Sequence, residues 1–188
     1  NIDGYANLGR VQNVLKRRAE AEDAFRAGLE VDPNNGAMLK ELGKVQYIRK
    51  DYTGAVESLG KCHSVGAGDE MSYYLLGKAY NKQSNNTEAI AALKQSLQKK
   101  AGYYSAHFAL GQIYLSQEKF GQAATSFKAA LNASPKKYRA AYNYAVAVES
   151  DNQENYDANI ANWNAFIRLA KNNPKARNDV ATAEQHVK

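Results

Sequence analysis

Cysteine is almost absent: Cys62 is the only one in 188 residues, so no internal disulfide can form. Proline is nearly as scarce. Only Pro33, Pro135 and Pro174 occur, and so few helix breakers leave room for a mostly helical chain. No apolar run approaches the roughly 20 residues that a membrane-spanning helix needs, and no signal-peptide pattern is present. The chain starts at Asn1 rather than methionine and enters a helix pattern at once, so the expectation is a start trimmed of upstream residues. What remains is ordinary for a globular protein: 44% hydrophobic and 23% charged residues exclude wholesale disorder. Two features stand out against that background. Tyrosine occurs 13 times, and it suits half-buried helix faces and binding surfaces. The net charge of +6 (pI about 9.2) admits acidic partners, nucleic acid or anionic membranes without choosing among them.

The chain repeats itself every 34 residues: Leu8-Gly9, Leu42-Gly43, Leu76-Gly77 and Leu110-Gly111 share one register. Ala21, Ala55, Ala89 and Ala123 keep the same step, as do Phe25, Leu59, Leu93 and Phe127. Gly28, Cys62, Ser96 and Ala130 form a further small-residue column. Small residues let helices approach closely, and large apolar ones fill the space between hairpins. Pro33 and Pro135 end the second helix of their repeats, and Gly66 and Gly68 do so around Ala67. Within a repeat the pattern is two helices. Tyr73, Leu76, Gly77 and Tyr80 lie on one helical face, and Ala89, Ile90, Leu93 and Leu97 lie on a second beyond the polar turn Asn85-Asn86-Thr87.

These columns, with Tyr80 and Tyr114 downstream of Leu-Gly, resemble the tetratricopeptide repeat (TPR) family over nearly the whole chain. The resemblance implies an all-α, right-handed α-solenoid of about five stacked helix-turn-helix hairpins, at about 2–35, 36–69, 70–103, 104–137 and 138–171. In the fifth, Ser150–Asn155 reads as a longer loop, and Asn159 stands where alanine is expected. Pro174 then opens a last, capping helix within 172–188, whose apolar stripe is Ala176, Val180, Ala183 and Val187. No comparable cap precedes the first repeat, which leaves self-association through that hairpin as one option.

Motifs for chemistry are missing. His63, His107 and His186 lie in different repeats, and none has metal-ligand spacing. His107 fills the slot of Tyr5 and Tyr73, and His63 fills that of Leu29, Leu97 and Leu131; both read as packing residues. Cys62 reads as an inert buried thiol. No phosphate-cradling loop occurs. The expectation is no enzyme, no cofactor, no metal and no small-molecule substrate.

In the resembled family the first helix of each hairpin lines a concave face. Three columns point there. The first is Ala6, Lys40, Tyr74, Phe108, Tyr142; the second is Arg10, Lys44, Lys78, Gln112, Val146; the third is Asn13, Tyr47, Asn81, Leu115, Glu149. The expected partner-binding residues are Arg10, Lys40, Lys44, Tyr47, Tyr74, Lys78, Asn81, Phe108, Gln112, Leu115 and Tyr142. The early columns are basic and the later ones aromatic, which suits a partner peptide or helix with an acidic and an apolar part. Because the inter-helix columns are already filled, burial does not account for all of these aromatics, and changing Tyr74, Phe108 and Tyr142 to alanine is expected to remove capture while the fold survives; the alternative is an ordinary solvated face with tyrosines half-covered by their neighbours. Glu41, Leu75 and Ala109 stand in slots where some family members clamp an acidic chaperone tail, so the resemblance does not extend to that specialisation. The functional expectation is a protein–protein interaction scaffold within a larger protein or assembly, such as bacterial envelope, secretion or pilus machinery. The alternatives are an RNA-binding helical-repeat protein, which would need similar polar readers in every repeat, and a self-associating structural module.

Overall fold

The computed structural model describes residues 1–188 and contains helices but no strands. The helices are α1 (Ile2–Val14), α2 (Arg18–Val31), α3 (Gly36–Ile48), α4 (Tyr52–Ser64), α5 (Glu70–Lys82) and α6 (Asn86–Lys99). They continue with α7 (Tyr104–Ser116), α8 (Phe120–Ala133), α9 (Tyr138–Asp151), α10 (Tyr156–Ala170), a 3₁₀ turn Pro174–Ala176 and α11 (Arg177–His186). They form two compact units, residues 1–100 and 101–188.

Local chemistry sets where these helices begin and end. Asn35, Asp51 and Asp69 cap α3, α4 and α5, their side chains accepting from the amides of Met38 (3.1 Å), Gly54 (3.0 Å) and Ser72 (2.8 Å). Pro33 and Pro135 follow two residues after α2 and α8 end, and Gly66, at φ +77°, turns the chain after α4.

In the first unit, three antiparallel hairpins (α1–α2, α3–α4, α5–α6) close around the repeated small residues. A Cβ placed on Gly9, Gly43 or Gly77 would stand 2.5, 2.6 or 2.7 Å from Phe25, Leu59 or Leu93. Ala21, Ala55, Ala89, Phe25, Leu59 and Leu93 are all buried. The small-residue column also supplies hydrogen bonds. Ser96 and Cys62 donate to the carbonyls of Glu70 (2.6 Å) and Gly36 (3.4 Å), the first residues of the paired helices. Buried Glu22 on α2 ties the first two hairpins together, holding Arg26 at 2.7 Å and Arg49 at the end of α3.

The second unit repeats this packing at Gly111, where a Cβ would lie 2.6 Å from the Phe127 ring, and then departs from it. Trp163, Phe166, Ala170, Ala176 and Ala183 form one buried cluster, with Val180 and Val187 of the capping segment packed against it. The stripe expected for the capping helix is the face that docks. The expected loop Ser150–Asn155 is shorter than the pattern suggested. α9 runs through Asp151, and only Asn152–Asn155 connects it to α10. Asn159 uses the altered turn, its Nδ2 donating to the Asn152 carbonyl at 3.0 Å.

One further 34-residue column has no signature in residue type. Lys16, Lys50, Ser84 and Glu118 sit between paired helices with φ of +62°, +68°, +64° and +57°. A left-handed backbone disfavours any side chain. Glu118→Gly is therefore expected to raise stability by about 0.5–1 kcal/mol, and Glu118→Val to lower it by about 1–2 kcal/mol. Urea midpoints of the two variants check the sign.

Candidate functional site

Each hairpin buries one face of its first helix against its second helix and leaves another face outside that contact. On α1, α3 and α5 this outer face is polar and cationic. Arg10 is exposed, and its guanidinium bonds only to Asn7 of the same helix, at 3.3 Å. Lys44 reaches Glu41, also on its own helix, at 3.4 Å. Lys78 is half-buried and makes no ion pair or hydrogen bond. Lys40 is different: its Nζ lies 2.9 Å from Asp69 Oδ2, a tie between α3 and the cap of α5. That hydrogen bond, against the opposing pull of burial, holds the Lys40 ammonium above its ordinary pKa. Burial pushes the Asp69 carboxyl up, but the Lys40 and Ser72 hydrogen bonds outweigh it and the net shift is downward. Asn81 donates to Asn86 at 2.9 Å. Between α1 and α3 lies a cleft of about 260 Å³, lined in part by Ala6, Arg10, Ala37, Met38 and Glu41.

The aromatics of these columns sit deeper than expected. Tyr47 and Tyr74 are half-buried against Leu59, Leu75, Leu76 and Ala92, and burial raises the Tyr47 pKa. In the second unit, Phe108 stacks on Tyr104 at 5.6 Å and meets Phe127 edge-on at 5.5 Å. Leu115 packs on the same cluster. Tyr142 meets Trp163 at 5.5 Å and Phe166 at 5.2 Å, both edge-on. The inter-helix columns therefore do not complete the core alone; these rings turn back and help fill it. The triple-alanine change is therefore expected to loosen both units, so it does not separate capture from folding. Exposed Arg10 and Gln112 and half-buried Lys44 and Lys78 are the cleaner probes.

Two residues near these faces had no distinguishing signal in the sequence. Lys137 stands 5.8 Å over the Tyr104 ring, a cation–π contact that depends on how the loop folds. Glu149, in the third column, is taken from within the second unit: it accepts from Trp163 Nε1 of α10 at 3.2 Å and pairs with His186 Nδ1 of the capping helix at 3.0 Å.

The remaining polar constellation is structural. His63 Nε2 lies 3.1 Å from Ser72 Oγ, a nucleophile–base distance, but Ser72 is fully buried and the Asp69 carboxylate faces Lys40 and the α5 cap. His63 also stacks on Tyr73 at 3.7 Å. Burial lowers its pKa to about 4. The unfolded histidine titrates near 6.5. Between these values the unfolded chain binds the extra proton, so stability falls as pH drops from about 6.5 to about 4. His63→Leu, the residue type of its column, is expected to flatten that part of the curve; urea midpoints at pH 7 and pH 5 test this. Cys62 is fully buried, and burial raises its pKa. His107 is half-buried, with Nε2 2.7 Å from the Ala101 carbonyl. No group of three or more His, Cys, Asp or Glu is assembled that could hold a metal ion. No helix is long and apolar enough to cross a membrane.

The family profile described as tetratricopeptide repeat matches residues 8–61, 74–119 and 108–174. No curated protein matches the sequence. Among solved structures, the chain is similar to a MamA protein, with a TM-score of 0.84 at 24% identity over 93% of this chain and 94% of that one. It is similar to MamA from Desulfovibrio magneticus RS-1, with a TM-score of 0.81 at 16% identity over 92% and 97%. YrrB, described as a TPR protein with an unusual peptide-binding site, gives a TM-score of 0.78 at 18% identity over 92% and 88%. Likeness at these identities carries the fold alone.

Proposed function

The chain belongs to the tetratricopeptide repeat family, and on that premise we propose that it is a protein-binding scaffold, holding a peptide or helical segment of a partner within a larger protein or assembly. The observation that carries this reading is the outer face of the first helices. Arg10 and Gln112 project to solvent, Lys44 and Lys78 are available beside half-buried tyrosines, and a cleft opens between α1 and α3. Aromatic edges beside flexible cations are the composition of binding hot spots. The peptide-binding site ascribed to YrrB is consistent with such a use of this fold. The reading assigns no reaction, because the single nucleophile–base pair is sealed from substrate. An RNA-reading role is less well supported, since the columns change residue type from hairpin to hairpin.

Site-specific photo-crosslinking tests the reading. A benzophenone side chain is placed at Lys78 or Gln112 on first helices, or at exposed Lys94 or Lys128 on second helices. Crosslinks to a partner from the first pair and none from the second are expected. The reverse pattern would move the interface to the second helices.

A further inference from the structure

We infer that the outward face of α1 docks an amphipathic helix of a partner protein, one built like this chain's own second helices. The site is separate from the scaffold surface, which uses the side of α1 that carries Ala6, Arg10 and Asn13. The docking face is buried in later repeats and open in the first. Leu8 is 48% exposed, whereas Leu42 and Leu76, one and two repeats on, are 4% and 7% exposed. Val11 is 55% exposed, whereas Val45, Ala79 and Ala147 of its column are 0% exposed. Leu8, Val11 and Leu15 recur at i, i+3 and i+7, which makes one stripe, and exposed Val14 lies beside it. A run of large apolar side chains in water along one helix marks an interaction surface.

What covers this face elsewhere in the chain identifies the occupant. Leu42 and Val45 of α3 pack with Ala21 and Phe25 of α2. Leu76 of α5 packs with Leu59 of α4, and Ala147 of α9 packs with Ala123 and Phe127 of α8. Each time the cover is the preceding second helix, through its large apolar column residue and, in two cases, the alanine four positions before it. The face of α1 therefore fits a helix with that pattern. A second copy has none to give. The alanine and large apolar columns of α2, α4, α6 and α8 are buried within their own chain, and Trp163 and Phe166 of α10 are covered by the capping segment. The side of α11 that meets water carries Arg177, Thr182 and Gln185 and offers no apolar stripe.

Two contacts of α2 sharpen the chemistry of the arriving helix. Gly28, three residues after Phe25, faces Met38: a Cβ placed on it would stand 2.5 Å from the Met38 sulfur. The column-mate of Met38 on α1 is Gly4, where a built Cβ meets nothing within 4 Å. The arriving helix thus has room for a large apolar residue where α2 needs glycine. The second contact is polar. Gln46, with its amide nitrogen donating to Ser58 and the Gly54 carbonyl, accepts from Arg26 of α2 at 3.2 Å. Its column-mate Gln12 has Oε1 buried without a partner. Turning that amide over presents the oxygen to a basic residue placed directly after the aromatic of the arriving helix.

Fluorescence anisotropy of the whole chain with labelled, helix-stapled peptides of its own α2 segment, residues 17–32, tests this. One peptide carries Gly28→Leu, one Gly28→Ala, and a third Gly28→Leu with Phe25→Glu. Leucine and alanine are both good helix formers, so the first two differ mainly in apolar volume. The Gly28→Leu peptide is expected to bind about fivefold tighter than the Gly28→Ala peptide, and Phe25→Glu to weaken it about tenfold or more. In the chain, Val11→Glu is expected to weaken the Gly28→Leu peptide about tenfold. Val31→Glu, at an exposed apolar residue elsewhere in the first hairpin, is expected to change it less than about twofold. Circular dichroism and melting confirm that each variant is folded, and Val11→Ala provides a milder change in the same direction. No saturable binding, equal binding of the Phe25→Glu peptide, or equal weakening by Val31→Glu would overturn the inference. So would a dimer of the free chain in light scattering that Val11→Glu dissociates, because the face would then belong to a second copy.

Discussion

Gly77→Val lowers the stability of the chain by about 3 kcal/mol, the upper end of what overpacking usually costs. The reason is the neighbour. A Cβ on Gly77 would stand 2.7 Å from Leu93 and 3.0 Å from the Ala89 carbonyl oxygen, and that oxygen belongs to the backbone of α6. A side chain can swing away, but a helix backbone must be pushed bodily, so the α5–α6 hairpin opens. The contrasting change is Gly60→Ala. Gly60 lies inside α4 with nothing within 4 Å of a built Cβ. There alanine only restricts the unfolded chain and favours the helix, which is expected to add about 0.5–1 kcal/mol. Urea denaturation of both variants is decisive because the same kind of change is expected to act in opposite directions at two helical glycines. Equal effects would mean that the repeated glycine is not a contact point.

Trp163→Ala carries the other large effect, about 3–5 kcal/mol. Trp163 is 1% exposed and touches almost everything that closes the second unit. It meets Tyr142 and Phe166 edge-on, stacks on His186 at 4.6 Å and donates to Glu149. Losing the ring leaves a cavity, removes the platform under His186 and takes away one of the two groups that hold the Glu149 carboxylate. A melting temperature lower by on the order of 10 °C is expected, with amide protection lost first in α10 and α11. Trp163→Phe keeps much of the apolar volume but not the N–H, and should fall between the two.

The repeat was legible in the sequence because its columns are constrained by volume. Gly9, Gly43, Gly77 and Gly111 have a helix against them, so only the smallest residue fits, and the pattern survives translation by 34 residues. The left-handed column Lys16, Lys50, Ser84 and Glu118 was not legible, since the strain sits in the backbone and the side chains share no common type. The candidate surface was legible in part. Helical geometry places Arg10, Lys44, Lys78 and Gln112 away from the paired helix. It does not say how far a ring folds back. Phe108 and Tyr142 are long enough to reach Phe127 and Trp163, and so act as core residues as well as surface ones. Pairings across helices, such as Lys40 with Asp69, depend on how successive hairpins stack and leave no mark on local periodicity. In the fifth hairpin, residues inserted after Ala145 suggested a loop, but Ser150 and Asp151 continue α9 because nothing in them stops a helix.

The central claim is that the first helices present the partner-binding surface. Hydrogen–deuterium exchange, with and without a binder selected from an unbiased displayed-peptide library, tests it most directly. The account predicts added protection in α1, α3 and α5, or in α7 and α9, with α4, α6 and α8 unchanged. Protection confined to the second helices, or to the capping segment after Pro174, would contradict it.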